Sequence, residues 1–296
     1  MKIFAVVVTY NRLALLKKVI DLLKRQTRQL DSIVIVNNGS TDGTKEWLEQ
    51  EKNITLINQS NSGGAGGFET GVKYAYENEA DWIWMMDDDV FPNIDCLEKL
   101  LGWTSISQCI QPRRYYSDDV EVNFEQWLDP ITYSKFGYWQ EKSFNNGKKF
   151  CAINVGCFEG MFVSKSIVNK IGFPDKRFFI AEDDTIYGFA ASFYTNVILV
   201  SDAIMVRARR SSDRSVSPMY TYYACRNFHL VYESLNLLLD KKNRFLYIKY
   251  IYQFVHQIYL SIFLYDNKMK HLISVFRGFY DCFRKKNGAT LSLIHI

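Results

Sequence analysis

Trp82-Ile83-Trp84-Met85-Met86-Asp87-Asp88-Asp89-Val90 is an apolar run that stops at three consecutive carboxylates. Bulky apolar residues followed by acids predict a buried strand that delivers charge to the edge of a sheet, where the ligands of open α/β sheets gather. Three adjacent aspartates repel one another and need a cation beside them. A hard divalent ion, Mg2+ or Mn2+, shared between carboxylate oxygens and the phosphates of a ligand, meets that need. The plain alternative is a strand ending in an acidic turn, with an aspartate capping the next helix.

Upstream, the sequence alternates strand and helix patterns. Ile3 to Val8 is a β-branched run suited to a parallel strand buried on both faces, with Thr9-Tyr10-Asn11-Arg12 as the loop at its carboxyl end. Leu13 to Arg25 repeats apolar residues at helical spacing. Ser32 to Asn37 predicts a second strand, ending in Asn37-Asn38-Gly39-Ser40-Thr41-Asp42-Gly43, and Thr44 to Glu51 a second helix. Thr55 to Ile57 predicts a short third strand and Phe68 to Glu77 a third helix, which makes the carboxylate stretch the fourth strand. The fold class that follows is α/β, a parallel, doubly wound sheet.

Between the third strand and its helix, Asn61-Ser62-Gly63-Gly64-Ala65-Gly66-Gly67 reads as a glycine-rich loop. Its backbone amides could approach a phosphate or sugar, or the stretch could be a flexible turn. It matches neither a P-loop nor the dinucleotide fingerprint, which argues against ATP and NAD.

Downstream, Asp95 to Leu101 predicts a helix, and residues 111 to 150 read as long loops or short antiparallel strands lining an acceptor site. Ala152 to Val163 reads as a strand pair, or as one strand bent at its glycines, and Ser164 to Ile171 as a short helix. Phe178-Phe179-Ile180-Ala181-Glu182-Asp183-Asp184 is a second apolar run ending in acids, about 90 residues after the first. The pattern predicts two carboxylate sets meeting at one cleft, the first suited to a metal and the second to a general base. The alternative is that these acids only cap a helix over Thr185 to Phe193.

Composition narrows the classes. A chain of 296 residues with 48% hydrophobic content fits one α/β domain with an appendage. A net charge of +4 is too small to argue for nucleic acid. The six cysteines lie far apart, as expected of buried thiols in a reducing compartment. The opening apolar run is a strand and lacks the features of a signal peptide, so the expected location is cytoplasmic.

At this point the motifs match a known family. Val8-Thr9-Tyr10-Asn11-Arg12, Val36 to Asp42, Asn61 to Gly67 and Trp84 to Asp89 occur in the order and approximate spacing of the family 2 glycosyltransferases with the GT-A fold, and the resemblance spans roughly residues 1 to 230. Phe179-Ile180-Ala181-Glu182-Asp183-Asp184-Thr185-Ile186-Tyr187-Gly188 resembles the galactofuranosyltransferase and rhamnosyltransferase branch that builds bacterial surface polysaccharide. The resemblance implies that Asp184, second of the Asp183-Asp184 pair, is the catalytic base. It also implies that Thr9, Tyr10, Asn11 and Arg12 border the nucleotide, with Asn38 at the base where many relatives carry aspartate. Gly63 and Gly64 belong with the donor site. Asp87 and Asp88 would contact the nucleotide sugar, and Asp87 and Asp89 would hold the metal.

Three departures stand out. Ala203 to Arg210 lacks the histidine that completes the metal site in many relatives, though Arg207, Arg209 or Arg210 could neutralise diphosphate directly. Ile186 stands where relatives usually carry an acid, and Ala190 where many carry arginine. His229 and His256 read as helix-packing residues.

After Ser217-Pro218, the stretch Tyr222, Tyr223, Arg226 and Asn227 resembles a motif of the same branch, serving packing or substrate contact. Phe245 to Leu264 is too interrupted by polar residues for a span, and predicts an amphipathic helix lying on a membrane or on the catalytic domain. Lys268, Lys270, Arg277, Arg284, Lys285 and Lys286 among aromatics fit anionic headgroups, with a helical bundle or oligomer interface as the rival.

The expected organisation is a GT-A catalytic domain over 1–215 and a helical, membrane-associated region over 216–296. The expected function is inverting transfer of a sugar from a nucleotide diphosphate donor to a lipid-linked or oligosaccharide acceptor, at the inner face of the cell membrane. Galactofuranose from UDP is the first choice of donor and rhamnose from dTDP the second. The rival from another class is a nucleotide-sugar-binding protein that has lost catalysis.

Overall fold

A computed structural model describes residues 1–122, 125–137, 144, 147–213 and 216–290. The boundary expected at residue 215 and the tail over 291–296 lie outside the described residues. The first half holds strands β1 (Ile3–Thr9), β2 (Ser32–Asn37), β3 (Thr55–Asn58), β4 (Trp82–Asp87), β5 (Val90–Pro92) and β6 (Cys109–Tyr115). Helices α1 (Leu13–Lys24), α2 (Thr44–Leu48), α3 (Gly63–Glu77) and α4 (Cys96–Leu101) alternate with them. Further on come β7 (Glu125–Asp129), β8 (Ser134–Gly137), β9 (Phe150–Ile153), β10 (Phe162–Ser164), α5 (Lys165–Ile171), α6 (Asp183–Ala191) and β11 (Val197–Arg207). Among the described residues four helices follow: α7 (Pro218–Arg226), α8 (Phe228–Leu238), α9 (Phe245–Phe263) and α10 (Lys268–Phe283).

The main sheet runs β3-β2-β1-β4-β10-β6-β11-β5, with β9 also paired to β11. β1, β2, β3 and β4 are mutually parallel, as their β-branched and apolar composition requires of strands covered on both faces. Alternation along β4 sends Trp82, Trp84 and Met86 into the layer under α1, and Ile83 and Met85 into the layer under α3. Register then positions the site. Val8 pairs with Asp87 and Thr9 with Asn37, so the ends of three strands bring their polar residues to one carboxyl edge.

Two expectations are corrected. The sheet is mixed beyond β4, because β10 runs antiparallel to both β4 and β6, entering after a turn at Gly160 with φ +108°. β9 and β10 therefore do not pair with each other; β9 lies on β11. The glycine-rich stretch is the start of α3, which begins at Gly63 instead of Phe68. Its glycines serve close packing: a Cβ on Gly67 would lie 2.4 Å from Val8 Cγ1, and one on Gly71 2.3 Å from Val6 Cγ1.

The C-terminal helices share a core with α6. Phe178, Ile186 and Phe189 pack with Phe228, Val231, Leu235, Leu246 and Tyr250, and the Phe228 and Tyr250 rings stack at 4.1 Å. Ser217 caps α7 by accepting from the Tyr220 amide, and Pro218 opens the helix. No disulfide joins the six cysteines, five of which are buried.

Candidate active site

The strand β4 carboxylates are balanced first by an arginine. Asp88 is buried; its carboxylate accepts from Thr9 Oγ1 at 2.7 Å and from Arg12 Nη1 at 3.1 Å. The same guanidinium nitrogen donates to Asp89 Oδ2 at 2.7 Å. Arg12 thus supplies part of the cation that three adjacent aspartates demand. Burial still raises the Asp88 carboxyl, with Arg12 and Thr9 opposing the shift. Asp87 is pushed well above the usual carboxylate range, by burial first and then by the charges of Asp89, Glu159 and Asp88.

Among the described residues no group of three His, Cys, Asp or Glu side chains is placed to hold a metal ion. Asp87 and Asp89 offer hard oxygens to a dication but only part of a coordination shell. They fit an ion shared with ligand phosphates better than a closed protein site. Arg12 also competes for Asp89. Arg12→Gln is expected to lower stability by about 1–2 kcal/mol, since the arginine is half exposed. In ligand-free protein it is also expected to tighten Mn2+ binding, and calorimetric titration of both proteins checks the direction.

Next to this edge lies a cavity of about 240 Å³ lined by Thr9, Tyr10, Arg12, Asn38, Gly63, Gly64, Asp87 and Asp88, and also by Phe179 and Ile180. Asn11 is absent from its lining. Its Oδ1 accepts from the Thr41 amide at 2.7 Å and its own amide donates to Ser40 Oγ at 3.0 Å, stapling two loops together. Asn38 is buried, donates through Nδ2 to the Gly63 carbonyl at 2.8 Å, and accepts from Gln59 at 2.6 Å. An ionised aspartate could not make the first of these bonds. The departure from aspartate at this position therefore fits the anchoring of α3.

A second cavity, of about 420 Å³, is lined by Asp87, Lys135, Cys157, Glu159, Glu182, Asp183, Asp184, Arg207 and Tyr220. It shares Gly64, Asp87 and Ile180 with the first, so the two acidic sets meet in one cleft. Burial raises the Asp184 carboxyl to about 6; Glu182 adds to the shift, while the Cys157 thiol, the Thr185 amide and Lys135 oppose it. The Thr185 amide donates to Asp184 Oδ1 at 2.7 Å. Asp183 is pushed well above the usual range by burial and then by Asp184. Both neighbouring carboxyls are therefore raised, Asp184 to about 6 and Asp183 well above the usual range.

The segment that carries them is strained. Phe179, Ala181 and Glu182 all have positive φ, at 66°, 73° and 74°, and such residues cost of order 1 kcal/mol or more each. The conformation is held from two sides. On one, the Ala65 amide of α3 donates to the Phe179 carbonyl at 3.1 Å. Gly63, with φ +75°, leaves room for that approach, since a Cβ there would lie 2.0 Å from the same oxygen. On the other, Asn227 Nδ2 donates to the carbonyls of Phe178, Ile180 and Ala181 at 3.1, 2.8 and 2.9 Å. Arg226 Nη2 adds a bond to Phe178 O at 2.8 Å. The Tyr222 to Asn227 stretch thus serves packing, although Tyr220 does line the cleft.

Several cleft residues escape sequence reasoning. Lys135, on the hairpin of β7 and β8, donates to both Glu182 oxygens at 2.7 and 2.6 Å, and Tyr133 Oη donates to Glu182 at 2.6 Å. Glu159 pairs with Arg114 and with Arg207 Nε at 2.8 Å; those charges lower its carboxyl in spite of burial. The one available signal was Gly156-Cys157-Phe158-Glu159-Gly160, an acid bracketed by glycines. Arg207 lines the cleft already committed to Glu159, while Arg209 and Arg210 are exposed. Ile186 and Ala190 are buried, and Ile186 packs against the C-terminal helices, so its apolar side chain follows from that packing. His229 and His256 sit on α8 and α9 and line neither cavity.

Comparison with known proteins places the chain. Residues 4–172 match the glycosyl transferase family 2 profile, and the chain belongs to that family. It is 42% identical over 194 residues to galactofuranosyltransferase GlfT1 of Mycobacterium tuberculosis, a match spanning 62% of each chain. The O-antigen chain rhamnosyltransferase RfbN of Salmonella typhimurium is 28% identical over 106 residues, covering 36% of this chain and 34% of that one. The structure of S. aureus TarS 1–349 in complex with UDP-GlcNAc superposes with a TM-score of 0.61 at 14% identity, over 93% of this chain and 79% of that one. The fold is accordingly the α/β GT-A class that the motifs imply, carrying additional C-terminal helices.

Proposed function

We propose that this protein is an inverting glycosyltransferase that moves a sugar from a nucleoside diphosphate donor to a hydroxyl acceptor. The observation that carries the reading is the single cleft in which the Asp87–Asp89 edge and Asp184 face shared space, with Asp184 ionising near neutral pH. The nucleotide occupies the cavity bordered by Thr9, Tyr10, Arg12 and Asn38. The acceptor enters beside Asp184, which takes the proton of the attacking hydroxyl. Attack opposite the departing diphosphate passes through an oxocarbenium-like transition state and inverts the anomeric centre in one step. A divalent ion on Asp87 and Asp89, Mg2+ or Mn2+, would supply Lewis-acid stabilisation of the leaving diphosphate. Burial, which pushes the Asp183 carboxyl well above the usual range, would disfavour a second negative charge beside the base.

The galactofuranosyltransferase relative supports UDP-galactofuranose as donor, and the rhamnosyltransferase relative keeps dTDP-rhamnose as the second choice. We take residues 1–215 as the catalytic domain and 216–296 as a helical region that braces it. The acceptor is lipid-linked or an oligosaccharide, reached from the cytoplasmic face of the cell membrane. Assay of UDP-, dTDP- and GDP-sugars with Mg2+, Mn2+ or chelator tests this reading. Turnover of one donor, lost on chelation, is the expected result. Nucleotide binding with no turnover of any donor, even with membrane extract supplying acceptors, would favour a protein that has lost catalysis.

A further inference from the structure

The last helices carry a surface that catalysis does not use. Residues 241–290 hold ten Lys or Arg against two Asp, whereas the whole chain has a net charge of only +4. The remainder is therefore net acidic, and the positive charge is concentrated here. On α10, Met269, Ile273, Phe276, Tyr280 and Phe283 are all more than half exposed. Their spacing of four, three, four and three residues makes one stripe along the helix. Lys270, Arg277 and Arg284, also exposed, recur every seventh residue beside that stripe.

The neighbouring α9 exposes Ile248, Ile251, Tyr252, Val255 and Tyr259. Phe254 of α9 stacks on Phe279 at 4.0 Å and meets the half-exposed Phe276 ring at 5.5 Å, so the α10 stripe runs along the seam between the helices. Phe283 and Tyr247 also line a cavity of about 380 Å³, with Lys242 and Lys285 among its walls. Apolar surface on this scale marks an interaction site.

We propose that the α9 and α10 pair docks on a bilayer carrying anionic lipids, with the apolar stripes entering the headgroup boundary and the basic column engaging phosphate. Charge selects this occupant. A symmetric contact with a second copy would place this basic face against itself, whereas anionic headgroups complement it. Among the described residues no helix is long and apolar enough to cross a membrane, so the pair lies on the surface. The opposite side of α10 packs on α7, where a Cβ on Gly278 would lie 2.5 Å from the Tyr222 carbonyl oxygen. α7 in turn carries Tyr220 to the cleft of Asp184.

Co-sedimentation of the full chain with phosphatidylcholine vesicles, with and without phosphatidylglycerol, tests the proposal. Wild type is expected to pellet with the anionic vesicles and to be released by salt. The triple variant Lys270→Glu, Arg277→Glu, Arg284→Glu is expected to lower partitioning roughly a hundredfold. A second variant, Ile248→Gln, Met269→Gln, Ile273→Gln, is expected to lose binding while keeping wild-type circular dichroism and donor hydrolysis. Wild type left in the supernatant, or variants that bind as wild type does, would overturn the proposal. A dimer in sedimentation velocity that the apolar variant disperses, without vesicle binding, would assign the face to a second copy. Vesicle binding by a protein that hydrolyses no donor would count against the glycosyltransferase reading and leave the docking intact.

Discussion

Asp184→Asn is expected to reduce sugar transfer by about 10³-fold and, at the same time, to make the folded protein more stable. The first effect follows from chemistry. A neutral amide cannot take the proton of the acceptor hydroxyl, and among the acids lining the acceptor side of the cleft none is placed to replace it. Glu182 is committed to Lys135 and Tyr133, Glu159 to Arg114 and Arg207, and Asp183 is buried, with its carboxyl pushed well above the usual range. Donor binding, which we propose rests on Thr9, Arg12 and Asp88, should change little.

The second effect follows from linkage. Raising a carboxyl from 3.8 to about 6 on folding means that ionising it costs the folded state up to roughly 3 kcal/mol. The folded pKa is the higher one, so stability is greatest below the unfolded value and declines as pH rises toward 6. Above that the penalty is complete. Asparagine keeps the bond from the Thr185 amide and removes the charge, so Tm should rise at neutral pH and not in acid. The wild-type transfer rate should fall below about pH 6, where Asp184 protonates. Thermal denaturation at two pH values and a pH–rate profile check both statements. A variant that retained activity, or an acid limb absent from the profile, would remove Asp184 from the role of base.

Much of this site is legible in the sequence because strands declare their ends. The runs Ile3 to Val8 and Trp82 to Met86 fix parallel, fully buried strands, and the polar residues following them must then share one edge. That logic found Thr9, Arg12, Asp87, Asp88 and Asp89. It could not place Arg12 against the aspartates, because Arg12 is distant from them in sequence and only the fold brings it to them. The glycines of Gly63 to Gly67 looked like a loop because helix propensity penalises glycine. Close packing against Val6 and Val8 overrides propensity there. Lys135 and Glu159 were missed for another reason. Each takes its position from long-range pairing, Lys135 from a hairpin in an aperiodic stretch and Glu159 from two arginines on different strands, and periodicity carries no trace of either.

Asn227→Ala and Asn227→Asp are expected to lower kcat by about 100-fold, with a smaller rise in donor KM, although Asn227 lines neither cavity. Its fully buried amide supplies the donor for three carbonyls, those of Phe178, Ile180 and Ala181, immediately ahead of the acids. Without it, Phe178 O keeps the bonds from Arg226 and from the Ile180 amide, while the other two lose this partner, at about 1–3 kcal/mol for each buried group left unsatisfied. Aspartate is the harsher change, since it sets a carboxylate against the same oxygens. The positive φ angles at Phe179, Ala181 and Glu182 then lose part of what maintains them, and relaxation there moves Asp184 relative to the donor. A displacement of about 1 Å suffices for the loss in kcat. Thr9, Arg12 and Asp88 are held by their own network, which is why donor affinity should suffer less. Because the burial that raises Asp184 depends on the same loop, the acid limb of the pH–rate profile should also move down toward the ordinary carboxylate range. A merely structural asparagine would lower Tm and leave that limb near pH 6 in the fraction that still folds. The profile therefore separates positioning of the base from general destabilisation.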